Sequence, residues 1–382
     1  MRTRIGLFIL LCGILLPFTG DAQDGKRPSW PIRYANSLIN DTSDISKPQF
    51  MVYPTVAFAP ETSWEFGFST LLVYYANQDT TNRLSEVSGF TFVTLESQWG
   101  IWFDHALYSD RDKWFLLGRI RFQNFPLRYY GIGMDTPPRH QALVDANQIL
   151  IKERLLRKVG NNLFFGLEAD YQRLSNVSFL EGPAFDDLTL PRGAEGSDNI
   201  GFGLGLLYDN RHNVLNVRDG ALAELAVLHY HSSISTFGFT SVISDNRLFK
   251  TVARNTVLAG QLLGQFNFGD VPFNQLALMG GENMMRGYYV GRFRDRHQVA
   301  AQGEIRFLPL PLGFSKRIGA AAFGGVATVF DDFGRATGGD LVWSAGAGLR
   351  FLIFPKKDIY TRFDVALTAE GTGYYLFIGE AF

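Results

Sequence analysis

Neither sign of charge is in excess in this 382-residue chain: 36 Lys plus Arg stand against 37 Asp plus Glu, a formal net charge of −1. Binding polyphosphate needs clustered surplus cations, so the balance argues against a nucleic-acid partner and against general attraction to anionic lipid. Charged residues are also scarce in total, at 19%, where soluble domains carry about 25%. Cysteine is nearly absent: Cys12 stands alone, which excludes a disulfide framework, a cysteine-based zinc site and iron–sulfur ligation. Beyond residue 22 no stretch approaches the roughly 20 consecutive apolar residues a membrane helix needs. Glycine (40) and phenylalanine (34) are abundant, and an aromatic content of 14% excludes a disordered chain.

The first residues read as an address. Arg2 and Arg4 precede an apolar run from Ile5 to Phe18, and Gly20-Asp21-Ala22 offers small residues at both positions read by signal peptidase. This predicts a leader over 1–22, export, and a mature chain from Gln23 that has lost Cys12. Leu11 before Cys12, and the apolar sequence after it, argue against a lipid anchor there. The run is too short for an uncleaved membrane anchor.

An exported, aromatic chain without a hydrophobic run can cross a membrane as a closed β-barrel, in which every backbone group is paired and residues alternate between lipid and lumen. The alternation is visible. Trp64, Phe66, Phe68, Leu72 and Tyr74 share one face with Thr70, while Glu65, Gly67 and Ser69 share the other. Thr361, Phe363, Val365 and Leu367 oppose Arg362, Asp364 and Ala366. The expected fold class is therefore all-β, a transmembrane antiparallel β-barrel of about sixteen strands over 49–382, after a short polar lead-in over 23–48. With the first strand starting at the periplasm, the connections Gln123 to Ala146, Arg173 to Asp198 and Gly269 to Asp295 all fall outside the cell, where such barrels keep long loops. Two rather long turns, Ala76 to Ser85 and Asn210 to Gly220, fall on the periplasmic side.

Four segments then carry a resemblance. Gly280-Gly281-Glu282-Asn283-Met284-Met285-Arg286-Gly287-Tyr288, followed by Gln302-Gly303-Glu304-Ile305-Arg306-Phe307, resembles the sixth-loop signature and next strand of the bacterial surface antigen family, which includes outer-membrane protein insertases and two-partner-secretion transporters. The turn with Asp209, Arg211 and Asn213, closing at Gly220, resembles the family's mid-barrel turn. Thr361 to Ala366 is similar to its penultimate strand, and Leu376 to Phe382 to its closing strand. There Ile378, Gly379 and the aromatic Phe382 correspond to the signal recognised during assembly.

The resemblance implies that the sixth extracellular loop folds into the lumen and that Arg286 pairs with an acid of the inner wall. A guanidinium stays charged and offers a fork of donors to carboxylates. Gly280 and Gly281 allow a tight backbone at the loop's entry, and Gly287 a close approach to the wall. Where the family has an Asp after the strand Gly319 to Phe323, this chain has Gly324-Gly325. The expected partners of Arg286 are therefore Asp364, Asp331 and Glu304, in that order. The lead-in is also too short for the periplasmic modules that bind client chains in the insertases and transporters, which predicts a barrel-only member.

Enzymatic readings find no support in the residues. There is no Gly-x-Ser-x-Gly for a lipase-type nucleophile. His229 and His231 share a strand face without a third metal ligand. Asp186-Asp187 and Asp331-Asp332 read as solvated loop charge. Gly201, Gly203 and Gly205 have strand spacing, not that of a phosphate loop. No catalytic residue, metal or cofactor is expected. The expected function is assistance to insertion or translocation of a protein or lipid client at the outer membrane of a Gram-negative bacterium. The expected route is a seam between strands Gln49 to Ala59 and Gly373 to Phe382, where Pro54 removes a ladder donor. The expected partners are outer-membrane lipid and lipopolysaccharide, and the assembly machinery through the C-terminal strand. Competing readings are a passive solute channel and a surface receptor or structural barrel.

Overall fold

The computed structural model describes Asp44, 46–59, 63–124, 127–184, 189–211, 216–335, 341–355 and 358–382. The expected leader with Cys12, most of the lead-in, Asn213 and Asp186-Asp187 lie outside the described residues.

Alternation becomes strands, in chain order β1 Gln49–Ala59, β2 Ser63–Tyr75, β3 Leu84–Thr94, β4 Trp99–Tyr108, β5 Trp114–Asn124, β6 Ala142–Gly160, β7 Leu163–Glu181 and β8 Ser197–Asp209. The second half contributes β9 Gly220–Tyr230, β10 Phe239–Ala253, β11 Thr256–Gly269, β12 His297–Phe307, β13 Ile318–Phe330, β14 Val342–Phe354, β15 Ile359–Thr368 and β16 Gly371–Ile378. Each pairs antiparallel with its neighbours in sequence, and β16 returns to β1, so sixteen strands close into a barrel. The short piece Leu127–Tyr129 continues β5 along β6. Closure removes both sheet edges, the condition for a sheet in hydrocarbon.

The faces separate as the sequence predicts. Phe66, Phe68, Phe202, Leu204, Leu225, Leu248, Leu349 and Leu367 are large apolar side chains exposed on the outer wall. Water would not tolerate so extensive an apolar belt, whereas a bilayer requires it. Among the described residues no helix is long and apolar enough to cross a membrane.

Two segments differ from expectation. Strands β6 and β7 run to Ala142 and Glu181, so much of the expected loops Gln123 to Ala146 and Arg173 to Asp198 is a projecting hairpin, irregular between Asp145 and Asn147. Above the bilayer neither face need be apolar, and the period-two signal vanishes although the ladder continues. The last strand, expected to reach Phe382, stops at Ile378. Gly379 has φ 92°, and Ala381 and Phe382 bury against Val217, Phe249 and Ala259.

The closure is uneven. β1 pairs with β2 along its whole length, from Gln49 opposite Val73 to Ala59 opposite Ser63. Between β1 and β16 the register is Phe58 opposite Leu376 alone. Pro54, with no N–H to donate, lies in this strand.

Both mouths are crossed by the chain. At the long-loop end the Gly133 N–H donates to Arg294 O (2.8 Å), Gly182 N–H to Gln141 O (2.9 Å) and Phe273 N–H to Arg192 O (2.9 Å), which ties three loops together. At the other end the turn after β8 reaches across to the far strands. Asn216 Nδ2 and Arg218 Nε donate to Asp358 Oδ2 (3.0 and 2.8 Å), and Arg218 Nη1 donates to Leu308 O (3.0 Å).

Candidate functional site: the lumenal loop and its charge network

The connection from β11 to β12 begins as a small hairpin, Ala277–Met279 against Phe293–Asp295. Between its arms the chain doubles back, with φ of 114°, 112° and 105° at Gly280, Gly281 and Gly287. A Cβ at Gly280 would stand 2.2 Å from Tyr289 O, and one at Gly287 2.6 Å from Thr368 Cγ2. Only glycine combines that backbone with that approach. The Gly287 N–H donates to the Tyr375 hydroxyl on β16 (2.8 Å). Tyr288 is buried among Met279, Met284, Met285 and Phe293.

This geometry delivers Arg286 to the inner wall. Its Nη1 donates to Asp364 Oδ2 and its Nη2 to Glu304 Oε2, both at 2.6 Å, and all three side chains are fully buried. Its guanidinium carbon lies 3.4 Å from the Phe323 ring centre, a cation–π contact. Ser344 Oγ donates to its main-chain oxygen. Asp331, the other expected partner, lies at the long-loop end of β13, exposed and beside Asp295 and His297. Its place just beyond the strand explains this: Asp364 and Glu304 are inward-facing strand positions, whereas Asp331 has left the wall.

The pair belongs to a larger network. Glu304 Oε1 also accepts from Arg306 Nε (2.9 Å) and Arg350 Nη2 (3.2 Å). Asp364 accepts from Arg350 Nη1 (2.6 Å) and Arg362 Nη1 (3.0 Å). Arg350 Nε continues to Glu380 Oε2 (2.9 Å), and Arg362 Nη1 to Glu282 O (2.9 Å) in the loop itself. Strands β12, β14 and β15 and the segment after β16 are thus tied to one loop by charge-assisted bonds. Sequence reading overlooked Arg306, Arg350, Arg362 and Glu380 as members. The usable signal was parity: Arg350 stands between the outward Leu349 and Phe351, so it must face inward.

The departure at Gly324-Gly325 also has a place. A Cβ at Gly325 would lie 3.2 Å from Met285 Sδ, 3.1 Å from Gln302 Cβ and 3.0 Å from Ala301 O. The loop thioether fills the space a side chain would take. Gly325→Val is therefore expected to destabilise the barrel by about 1–3 kcal/mol, read as a lower urea midpoint of its folded gel mobility. An unchanged midpoint would mean that the loop yields freely.

Further out, Arg292 is clamped to Glu370 (Nη2 to Oε1, 2.6 Å) and to Thr136 Oγ1 (2.6 Å). Burial pushes the Arg294 guanidinium down to about 10, and it stays charged at neutral pH. In the mid-barrel turn Asp209 takes Arg211 by both oxygens (2.9 and 3.0 Å), and Gly220 has φ 118°. The other half of the lumen holds a cavity of about 500 Å³ lined by ion pairs such as Arg154 with Glu224 (2.6 Å) and Arg247 with Asp245 (2.6 Å). Among the described residues no group of His, Cys, Asp or Glu is placed to hold a metal ion.

A sixteen-strand membrane barrel whose sixth loop on the long-loop side enters the lumen, anchored through an Arg-Gly-Tyr triplet, defines the class. The chain belongs to the Omp85 superfamily, whose domain model matches residues 108–367, and it is an outer-membrane barrel of the Gram-negative type. Solved structures agree in fold. BamA from Haemophilus ducreyi lacking POTRA domains 1-3 aligns with a TM-score of 0.55 and 14% identity, over 87% of this chain and 70% of that one. CdiB from Acinetobacter baumannii aligns at 0.54 and 10%, over 87% and 59%. CdiB from Escherichia coli aligns at 0.55 and 11%, over 95% and 72%. Among curated proteins, none matches the sequence.

Proposed function

We propose that this barrel assists insertion or translocation of a protein or lipid client at the outer membrane, through the seam between β1 and β16. The observation that carries the reading is the single registered pair, Phe58 with Leu376. Where two strands of a closed wall share so short a register, that junction is the place where the wall parts most cheaply to admit an incoming strand. Membership of a superfamily of insertases and transporters supports it. The crossed mouths favour it over a passive channel, because they leave the wall as the more accessible exit. We read residues 1–22 as the export leader. Ile378, Gly379 and Phe382 serve as the assembly signal before closure, since Phe382 in the folded barrel is held against Phe249 and under Arg306. The apolar belt contacts lipid and lipopolysaccharide.

The test is a tether. Cysteines replacing Phe58 and Leu376 are expected to abolish complementation of a deletion strain when oxidised and to restore it on reduction. Full complementation with the seam locked would sink the proposal.

A further inference from the structure

The periplasmic turn from β12 to β13 is apolar where its surroundings call for polar residues. It alternates leucine with proline from Leu308 to Leu312, then runs Gly313, Phe314, Ser315, Lys316 and Arg317. Leu308 is buried, but Leu312 is 38% exposed and Phe314 80%. The turn is built to hold both outward. Leu310 N–H donates to Ile318 O, Leu312 N–H to Leu310 O and Phe314 N–H to Leu312 O, each at 2.8 Å, and Pro309 and Pro311 stiffen the backbone between them. On β13 the outward positions Ile318, Ala320, Ala322, Gly324, Val326 and Thr328 carry no charge. That run rises about 33 Å along the strand and about 25 Å along the membrane normal at a tilt of about 40°, the height of the apolar band of such barrels. The turn beyond Ile318 therefore lies at the headgroup level of the inner leaflet.

Cations border the apolar tip. Lys316 and Arg317 close the turn, and Arg254 stands on the adjoining one, where Leu308 N–H donates to Asn255 O (2.8 Å). Leu352 N–H donates to Arg317 O (2.8 Å), which joins the turn to the end of β14. Among the described residues Arg254, Lys316 and Arg317 form no ion pair, and nearby acids are engaged elsewhere, Asp358 with Arg218 and Asp219 with Lys250. On the opposite rim the cations are matched: Arg83 and Lys158 share Asp112 (3.3 and 3.9 Å). The near-zero net charge of the chain thus conceals a local surplus. We propose that this turn is a binding site for an anionic phospholipid of the inner leaflet, with an acyl chain against Leu312 and Phe314 and the phosphate facing Lys316, Arg317 and Arg254. An apolar anchor beside unpaired cations matches an amphiphile with an anionic head. The inner leaflet presents one at this depth, whereas the phosphates of lipopolysaccharide lie in the leaflet of the long loops. The site stands apart from the seam at Phe58 and Leu376, so neither proposal needs the other.

Phe314→Cys in a Cys12→Ser background, labelled with a small apolar fluorophore, tests it on the intact barrel in phosphatidylcholine vesicles. Phospholipids with a nitroxide near the headgroup are expected to quench the label, and aqueous iodide is expected to spare it. At equal mole fraction, nitroxide phosphatidylglycerol is expected to be preferred over nitroxide phosphatidylcholine about fivefold, the effect of one cation at an anionic surface. Arg254→Gln, Lys316→Gln and Arg317→Gln together are expected to bring that ratio to one, as is high salt. A label at Val159→Cys, exposed on the opposite rim, is expected to be quenched by both lipids alike. Heat-modifiable gel mobility establishes that each barrel is folded. Quenching by iodide in place of lipid would put the turn in water, as a site for a periplasmic protein would be, and would overturn the proposal. Equal quenching by the two lipids, or the same preference at Val159, would reduce the turn to an apolar anchor and overturn it as well.

Discussion

Replacing Asp364 by asparagine is expected to destabilise the barrel by about 3–5 kcal/mol, more than removing Arg286. Four buried guanidiniums, those of Arg286, Arg306, Arg350 and Arg362, share Glu304, Asp364 and Glu380. Without Arg286, Glu304 keeps Arg306 and Arg350, and Asp364 keeps Arg350 and Arg362. Without the Asp364 charge, three guanidiniums lose a shared acid, and Arg362 is left with Glu282 O and Asn283 Oδ1. A buried charge without its counter-charge is the costly state, whereas a surviving paired set is not. Arg286→Met is accordingly expected to remove about 1.5–3 kcal/mol. Urea midpoints of the two variants, followed by folded gel mobility, decide the order. A larger loss in Arg286→Met would refute this account of the network.

The second large effect concerns the lumen. Arg286→Met removes two of the loop's charged anchors at once, leaving Arg292 on Glu370, and Arg286→Lys is expected to fall between, because one ammonium cannot reproduce a fork that reaches Asp364 and Glu304 together. Yet the loop blocks only one part of the path. The turn carrying Arg218 still bridges the other mouth to Asp358. In planar bilayers the wild type is expected to conduct little and briefly. Arg286→Met alone, or deletion of 280–294, should lengthen openings modestly. Arg286→Met combined with Asp358→Ala should give large, steady ones, since a barrel of this strand number encloses a channel once emptied. A steady large conductance in the wild type would favour the passive channel instead.

Much of this was legible in the residues for identifiable reasons. The strands crossing the bilayer were, because lipid demands one apolar face and so imposes a period of two. The extensions of β6 to Ala142 and β7 to Glu181 were not, because outside the bilayer that demand ends. Asp364 and Glu304 were nameable as acids at inward parity. Asp331, one residue beyond β13, was not separable from them without knowing where the strand stops. Gly325 read as a missing acid, and its purpose depends on Met285, a residue some forty positions away in sequence that folding brings to it.

By itself the sequence determined that the chain is a barrel, how many strands it has, and which side chains face lipid. Those follow from local alternation and from the rule that no backbone group in hydrocarbon stays unpaired. Only the tertiary structure decided how the ring closes, with β1 meeting β16 at Phe58 and Leu376. It alone assembled four arginines and three acids from β12, β14, β15, the loop and the segment after β16. It also turned His105 and Glu153, unremarkable at their separate positions, into a pair across Gly118 on the outer wall. Closure and charge pairing are properties of residues distant in sequence. Their energies depend on distance and burial in the folded state, which no local pattern encodes.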